Sequence, residues 1–177
     1  MFERGRIVLA ASFAWLACAA AQEGPGLGVP ATPEQVAGWD ISIGPDGAGL
    51  PPGSGTAAAG KTVYEAKCLA CHGVDGAGQP NDRLVGGQGT LREAAPIRTL
   101  GSYWPYATTV FDYVRRAMPY VAPHSLTPDE TYALTAYLLA LNGVIGQDAV
   151  MDATTLPKVV MPNRDNFDSA YREPRKR

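Results

Sequence analysis

The sequence predicts a mostly α fold, in which one small helical domain carries extended N- and C-terminal arms. Between residues 56 and 145, apolar side chains recur at helical spacing, and no alternation of strands and helices is evident. Residues 22–55 are rich in glycine and proline, and residues 146–177 contain no strong helical pattern. A chain of 177 residues has room for one domain of this kind together with its two arms.

The composition indicates a globular protein and argues against nucleic-acid binding. Hydrophobic residues make up 46% of the chain and charged residues 18%, as in ordinary globular proteins. The formal net charge is −2, whereas a protein that neutralises the phosphates of a nucleic acid carries a clear basic excess. We therefore expect no nucleic-acid partner.

The first 21 residues have the organisation of a secretory signal peptide. Arg4 and Arg6 precede an apolar run over residues 7–17, and small residues lead up to Ala21. The apolar run is shorter than the ~20 residues of a membrane-spanning helix, which favours cleavage over a membrane anchor. We expect cleavage after about Ala21 and export to the periplasm. Cleavage also removes Cys18, so the mature chain keeps two cysteines.

The first predicted helix runs from Ala57 to Ala70, a stretch without proline. Tyr64, Cys68 and Cys71 follow one another at positions i, i+4 and i+7, so they share one face of this helix. An aromatic ring and two thiols are therefore expected to point towards the same pocket.

The two cysteines belong to a Cys-x-x-Cys-His motif, formed by Cys68, Cys71 and His72. This spacing is the attachment signature of a c-type haem. The two thiols would form thioether bonds to the vinyl groups of the porphyrin, and His72 would be the proximal ligand of its iron. We therefore predict one covalently attached haem c, held by both cysteines, with His72 as a metal ligand.

Three other kinds of site compete with a haem. A zinc site needs four ligands, and His124 is the one further cysteine or histidine in the mature sequence, at a spacing unlike that of zinc fingers. A thioredoxin-like redox pair requires a strand–helix alternation that the sequence lacks. A structural disulfide between the two cysteines would leave the role of His72 unexplained.

A glycine-rich loop from Gly73 to Pro80 follows the motif and can pass close to a bound group. We expect a backbone carbonyl of this loop, that of Pro80 in our prediction, to accept the Nδ1 proton of His72. Pro80 is equally compatible with a plain turn.

The middle predicted helix ends at Met118-Pro119, where the proline takes the methionine out of helical geometry. The Met118 thioether can then point sideways into a pocket and serve as the second axial ligand of the iron. Core packing is the alternative, since Met118 shares a helical face with Phe111 and Val114. Upstream of this helix, Trp104 is predicted to donate its indole N–H to a haem propionate, again with core packing as the alternative.

A closing helix follows, with Thr127 as N-cap, Pro128 at the first position and Glu130 at the third. Its apolar stripe consists of Leu134, Tyr137, Leu138 and Leu141. Gly143 is predicted to end the helix.

Three residues compete with Met118 for the second axial position: His124, Met161 and, more weakly, Met151. His124 lies in an irregular, proline-bounded stretch and would give bis-histidine ligation. Met161 also precedes a proline, but it follows the closing helix. We predict Met118 as the ligand.

The order of these motifs resembles that of a class I cytochrome c. The resemblance rests on the Cys-x-x-Cys-His motif, residues 101–109, residues 115–119 and the closing helix. It is closer to the cytochrome subunits of periplasmic sulfite dehydrogenases and of the sulfur dehydrogenase in the sulfur-oxidising (Sox) system. Residues 39–47 and 160–165 also resemble segments of that group.

The resemblance implies an electron-transfer protein rather than an enzyme. A molybdenum-cofactor dehydrogenase that oxidises sulfite or a sulfur-bound intermediate would donate electrons, and a downstream cytochrome or oxidase would accept them. The Sox subunit is usually a longer, two-haem protein, so a chain with one Cys-x-x-Cys-His motif fits the sulfite dehydrogenase cytochromes better. The alternatives are a carrier for another periplasmic dehydrogenase and a haem enzyme or sensor with an open sixth site.

Overall fold

Helices are the main regular secondary structure in residues 27–167, the part of the chain that this computed structural model describes. The mostly α prediction is confirmed. The predicted signal peptide and residues 168–177 lie outside the described residues. The chain divides into two compact units, Met1–Asp40 and Ile41–Arg177, and the predicted boundaries at residues 55 and 145 fall inside the second unit.

The first unit contains helix α1 (Pro33–Trp39). The Thr32 side chain accepts a hydrogen bond from the backbone N–H of Gln35 at 3.2 Å, and the Gln35 side chain accepts one from the backbone N–H of Thr32 at 2.8 Å. The interpretation of residues 22–55 as an irregular arm misses this helix. Thr-Pro-x-Gln is nevertheless the same type of capping signature that predicts the closing helix.

Within the described residues, the second unit contains helices, two short strands and several single-turn 3-10 helices. The helices are α2 (Ala57–Lys67), α3 (Leu69–His72), α4 (Ala107–Ala117) and α5 (Pro128–Leu141). The strands are β1 (Ser54–Thr56) and β2 (Val150–Asp152). The 3-10 helices are Val74–Gly76, Thr90–Arg92 and Leu156–Lys158.

Strands β1 and β2 pair in antiparallel register, with Ser54 opposite Asp152 and Thr56 opposite Val150. The pairing joins segments almost a hundred residues apart in sequence, and nothing in the sequence pattern predicts it. From β2 onwards the chain adds side chains to the core, since Met151, Leu156 and Met161 are all buried. The C-terminal segment therefore helps to build the core of the second unit.

The first predicted helix is interrupted at Cys68, so the expectation of one helix through Ala70 is wrong. The backbone N–H of Cys68 still donates to the Tyr64 carbonyl at 2.8 Å, but Cys68 itself has φ −124° and ψ −31°. Its carbonyl then accepts hydrogen bonds from the N–H groups of Cys71 and His72, at 3.1 and 3.0 Å. A new helical turn, α3, thus starts in a changed direction and carries the motif.

Helix α5 forms the centre of the core. Its predicted capping box is confirmed: Thr127 and Glu130 exchange side-chain-to-backbone hydrogen bonds of 3.2 and 2.9 Å. Every residue from Thr131 to Ala140 is buried, rather than the single apolar stripe that the sequence predicts. The reason is that α2, α4 and both strands pack against this helix and cover it on several sides.

The crossing of α2 and α5 depends on Gly60. A Cβ atom at this position would collide with the carbonyl oxygen of Ala133, and would lie 2.5 Å from the carbonyl carbon of Ala133 and 2.8 Å from the Cβ atom of Tyr137. Because the colliding atoms belong to the backbone of another buried helix, they cannot move aside as a flexible side chain could.

Replacing Gly60 with alanine should therefore lower the free energy of unfolding by about 2 kcal/mol, although alanine is the better helix former. Denaturant unfolding of the purified holoprotein measures this change. Gly146→Ala is the matched control, because a Cβ atom there meets no heavy atom within 4 Å. Equal stabilities of the two variants would contradict the close crossing.

Candidate functional site

A cavity of about 580 Å³ in the second unit has the predicted site residues on its wall. Both cysteines of the motif line it, together with His72, Trp104 and Met118. The apolar part of the wall includes Leu84, Leu100, Val114, Leu134 and Leu138. The volume falls within the usual range for small-molecule and cofactor sites.

The two thiols are free and lie one helical turn apart, since Cys68 precedes α3 and Cys71 is its third residue. Cys68 is half-buried and Cys71 is exposed. Burial raises the pKa of the Cys68 thiol to about 11, and the neighbouring Lys67 ammonium acts in the opposite direction. A thiol with a raised pKa stays protonated at neutral pH and is a poor site for adventitious oxidation.

The imidazole of His72 is oriented by a backbone carbonyl further along the loop than predicted. Its Nδ1 atom lies 2.9 Å from the carbonyl oxygen of Asp82, so the prediction of Pro80 as acceptor is wrong. Pro80 lines the cavity, and the carbonyl that reaches the His72 ring belongs to the residue two positions further along the chain. With Nδ1–H donating to Asp82, Nε2 is the ring atom that can ligate a metal.

The loop after the motif folds back on it through backbone hydrogen bonds. The N–H of Gly78 donates to the His72 carbonyl at 2.8 Å, and the N–H of Asn81 donates to the Cys71 carbonyl at 2.9 Å. Gly73 has φ +74°, and a Cβ atom there would collide with the Gly78 carbonyl oxygen. This position therefore requires glycine, because any side chain would block the return of the loop.

Met118 caps the end of α4 in an extended conformation, with φ −120° and ψ 147°, which brings the half-buried residue to the cavity wall beside Pro119. The competing residues lie elsewhere. Met151 and Met161 are 4% and 1% exposed in the core, His124 is exposed, and none of the three lines the cavity. The geometry favours Met118 as the second axial ligand. Its ligation of the iron stays a prediction.

Trp104 is half-buried on the cavity wall and packs edge-on against Tyr113, with ring centroids 5.5 Å apart and an interplanar angle of 77°. Within residues 27–167, the indole N–H of Trp104 donates to no protein acceptor. The indole N–H therefore remains free to donate, and the predicted contact with a haem propionate stays a prediction.

Comparison with known proteins agrees with this geometry. The family model of cytochrome c matches residues 57–142, from the start of α2 to the end of α5. A chain in the crystal structure of the sulfane dehydrogenase SoxCD from Paracoccus pantotrophus is 43% identical, with a TM-score of 0.78. The match covers 82% of this chain and 72% of that chain. The chain belongs to the cytochrome c family. No curated protein matches it.

Membership in this family implies a covalently bound haem c, and the residues of this cytochrome fit that group. The cavity wall is largely apolar, both free cysteines border it, and the His72 ring is already held through Nδ1. In the described part of the chain, no cluster of three or more cysteine, histidine or acidic side chains could form a metal site without a porphyrin.

Cationic side chains on the cavity wall suit the carboxylates of a haem, and no motif in the sequence predicts them. Lys67 forms a 2.6 Å ion pair with Glu130, a hydrogen bond that lowers the pKa of Glu130. Arg83 and Arg98 also line the cavity, and among residues 27–167 neither has a carboxylate within ion-pair distance. Arg98 lies over the ring of Tyr103, at 5.5 Å from its centroid.

The buried Asn142, at the end of α5, holds another wall of the cavity and was missed by sequence reasoning. Its side-chain amide donates to the carbonyls of Leu84 and Leu138 at 3.2 and 2.9 Å, and its Oδ1 accepts from the N–H of Gly86 at 3.1 Å. Its backbone carbonyl accepts from Gln88 at 3.1 Å. A helix C-cap asparagine carries no sequence signal of such long-range contacts.

Across residues 27–167, no helix combines the length and the apolar character needed to cross a bilayer.

Proposed function

We propose that this cytochrome is a one-haem electron carrier that accepts electrons from a sulfur-oxidising dehydrogenase in the periplasm. The observation that carries the proposal is that His72 and Met118 line one cavity together with both cysteines of the attachment motif. These are the four groups that a six-coordinate haem c requires.

In this proposal, Cys68 and Cys71 attach the porphyrin, and His72 and Met118 are the axial ligands. The bound haem supplies reversible one-electron chemistry. With both axial positions taken by protein side chains, no position is left for a substrate, which supports a carrier rather than a catalyst or sensor. The apolar walls contributed by α4 and α5 keep water away from the site.

The sulfur-oxidising donor is supported by the 43% identity to a chain of a sulfane dehydrogenase complex. The family resemblance of the motifs adds a molybdenum-cofactor subunit as donor and a downstream cytochrome or oxidase as acceptor. The periplasmic location rests on the predicted signal peptide of residues 1–21. The single Cys-x-x-Cys-His motif supports one haem per chain.

Sulfite-driven reduction tests this proposal. The purified, oxidised holoprotein would be mixed with periplasmic extract from source cells that lack this cytochrome, and the haem absorption would be followed after addition of sulfite or thiosulfate. Because sulfite oxidation releases two electrons and each chain accepts one, we expect two chains to be reduced per sulfite consumed. Without extract, the haem should remain oxidised.

An alcohol serves as the comparison substrate for a carrier of another dehydrogenase. Reduction by the alcohol, with no response to sulfite or thiosulfate, would replace the proposed donor by a different enzyme. Dithionite is the control for a reducible haem. If the haem is reduced by dithionite but by none of the substrates, the proposed donor is wrong and the family assignment stands.

A further inference from the structure

Two buried tyrosines connect the helix crossing to the loop that orients His72. Tyr64 on α2 and Tyr137 on α5 are 1% and 6% exposed, and their ring centroids lie 5.4 Å apart. They occupy the same crossing at which Gly60 allows the two helices to approach. Both rings are therefore held in the close-packed interior of the second unit.

Both hydroxyl groups donate to the loop that follows His72. The Tyr64 hydroxyl donates to the carbonyl oxygen of Gly73 at 2.7 Å, and the Tyr137 hydroxyl donates to Oδ1 of Asp75 at 2.8 Å. Burial raises the pKa of both phenols, so both remain donors at any physiological pH. The first turn of the loop is thus attached to two different helices.

The attachment holds a conformation that the loop would not adopt by itself. Asp75 has φ +49°, in the left-handed region that side chains other than glycine rarely occupy. Such a residue persists only where surrounding contacts determine its conformation. Here the Tyr137 hydroxyl supplies that contact from the core.

The same loop delivers the acceptor for the His72 ring. From Gly76, whose carbonyl accepts the N–H of Leu84 at 2.8 Å, the chain runs back to place the carbonyl of Asp82 2.9 Å from Nδ1 of His72. The position of this carbonyl therefore depends on the path of the loop, and the two tyrosines determine where that path begins.

We propose that Tyr64 and Tyr137 are positioning residues that tune His72 through this loop and thereby set the midpoint potential of the cytochrome. A strong hydrogen bond from Nδ1–H makes the imidazole a more basic ligand, and a more basic ligand stabilises the oxidised iron. Weakening the bond should therefore raise the midpoint potential. This inference rests on the proposed axial role of His72.

Tyr137→Phe tests the inference, with Tyr132→Phe as a matched control. Tyr132 also lies on α5, is fully buried, and donates its hydroxyl to a backbone carbonyl, that of Pro51, at 2.9 Å. Both variants lose one buried hydrogen bond, so both should lose similar stability, but only Tyr137 is bonded to the His72 loop. Redox titration and the solvent exchange of the His72 Nδ1 proton, observed by NMR, are the measurements.

We expect Tyr137→Phe to favour the reduced form at least threefold at a given potential, and to speed exchange of the Nδ1 proton. Tyr64→Phe should act in the same direction, and Tyr132→Phe should leave both properties unchanged. Equal shifts in Tyr137→Phe and Tyr132→Phe, or no shift in either, would overturn the inference. If Tyr137→Phe yields no holoprotein, Asp75→Ala replaces it, because this variant removes the same hydrogen bond at its exposed partner. We expect the same changes in midpoint potential and in Nδ1 proton exchange from Asp75→Ala.

His72→Ala separates failure of this inference from failure of the proposed function. If the absorption and magnetic spectra of His72→Ala equal those of the native protein, His72 is not the axial ligand and the proposed function fails. If those spectra change while Tyr137→Phe behaves like Tyr132→Phe, the axial role stands and only the positioning role is wrong.

Discussion

Replacing Met118 with alanine is expected to lower the midpoint potential of the cytochrome and to open its iron to external ligands. A thioether ligand favours the reduced iron, so its loss favours the oxidised form. Axial ligands set haem potentials over a range of about 0.8 V, so we expect the equilibrium to shift by far more than tenfold, which corresponds to more than about 59 mV for one electron. Redox titration measures the shift, and cyanide binding to the ferric form reports the open position.

Met161→Ala is the control that separates ligation from packing. Met161 is 1% exposed in the core and does not line the cavity, so its truncation should cost about 2–5 kcal/mol of stability. The midpoint potential and the cyanide affinity of the Met161→Ala variant should nevertheless remain those of the native protein. The opposite pattern, with Met161→Ala binding cyanide tightly and Met118→Ala not, would transfer the ligand role to Met161. His124→Ala tests the third candidate in the same way.

Replacing Asn142 with alanine is expected to lower the free energy of unfolding more than replacing Asn163, another buried asparagine, with alanine. The change leaves the N–H of Gly86 and the carbonyl of Leu84 without their partner in the core. A buried polar group without a partner costs about 1–3 kcal/mol, so we expect a loss of about 3 kcal/mol. For a unit of this size, that corresponds to a decrease of about 10 °C in Tm.

Thermal unfolding of the holoprotein measures this loss, and hydrogen exchange at the Gly86 amide shows whether the loop is released. Asn163→Ala is the matched control: Asn163 is also buried and donates to one backbone carbonyl, that of Tyr103, at 2.8 Å, while its Oδ1 accepts only from the side chain of the exposed Asn166 at 3.1 Å. We expect it to lose about 1 kcal/mol. If Asn142→Ala loses no more stability than Asn163→Ala, the loop of residues 84–88 keeps its position without the Asn142 side chain.

Local sequence signals were sufficient for several parts of the fold. Thr127, Pro128 and Glu130 predicted the start of α5, because a capping box and a proline at the first position involve residues close in sequence. Met118-Pro119 predicted the end of α4 for the same reason. A local signal of the same kind, the capping box of Thr32 and Gln35, marks the start of α1.

Long-range contacts could not be derived in this way. The pairing of β1 with β2 and the hydrogen bonds of Asn142 with Leu84, Gly86 and Gln88 join residues more than fifty positions apart. The choice of Asp82 over Pro80 as acceptor for His72 depends on how the intervening loop folds back. Several backbone carbonyls near the ring have the same chemistry, so their identity in the sequence cannot distinguish them.

The sequence by itself determined the chemistry of this protein: two thiols and an imidazole at the spacing that attaches a haem c, and a mostly helical domain around them. That information is local, because the attachment motif spans five consecutive residues. Only the tertiary structure decided which distant side chains reach the cavity. It brought Met118 and Trp104 to the wall, placed Met161 in the core, and tied Tyr64 and Tyr137 to the His72 loop. These outcomes depend on the crossing of α2 with α5 and on the return of the loop, since packing and loop closure, rather than residue type, set distances between remote parts of a chain.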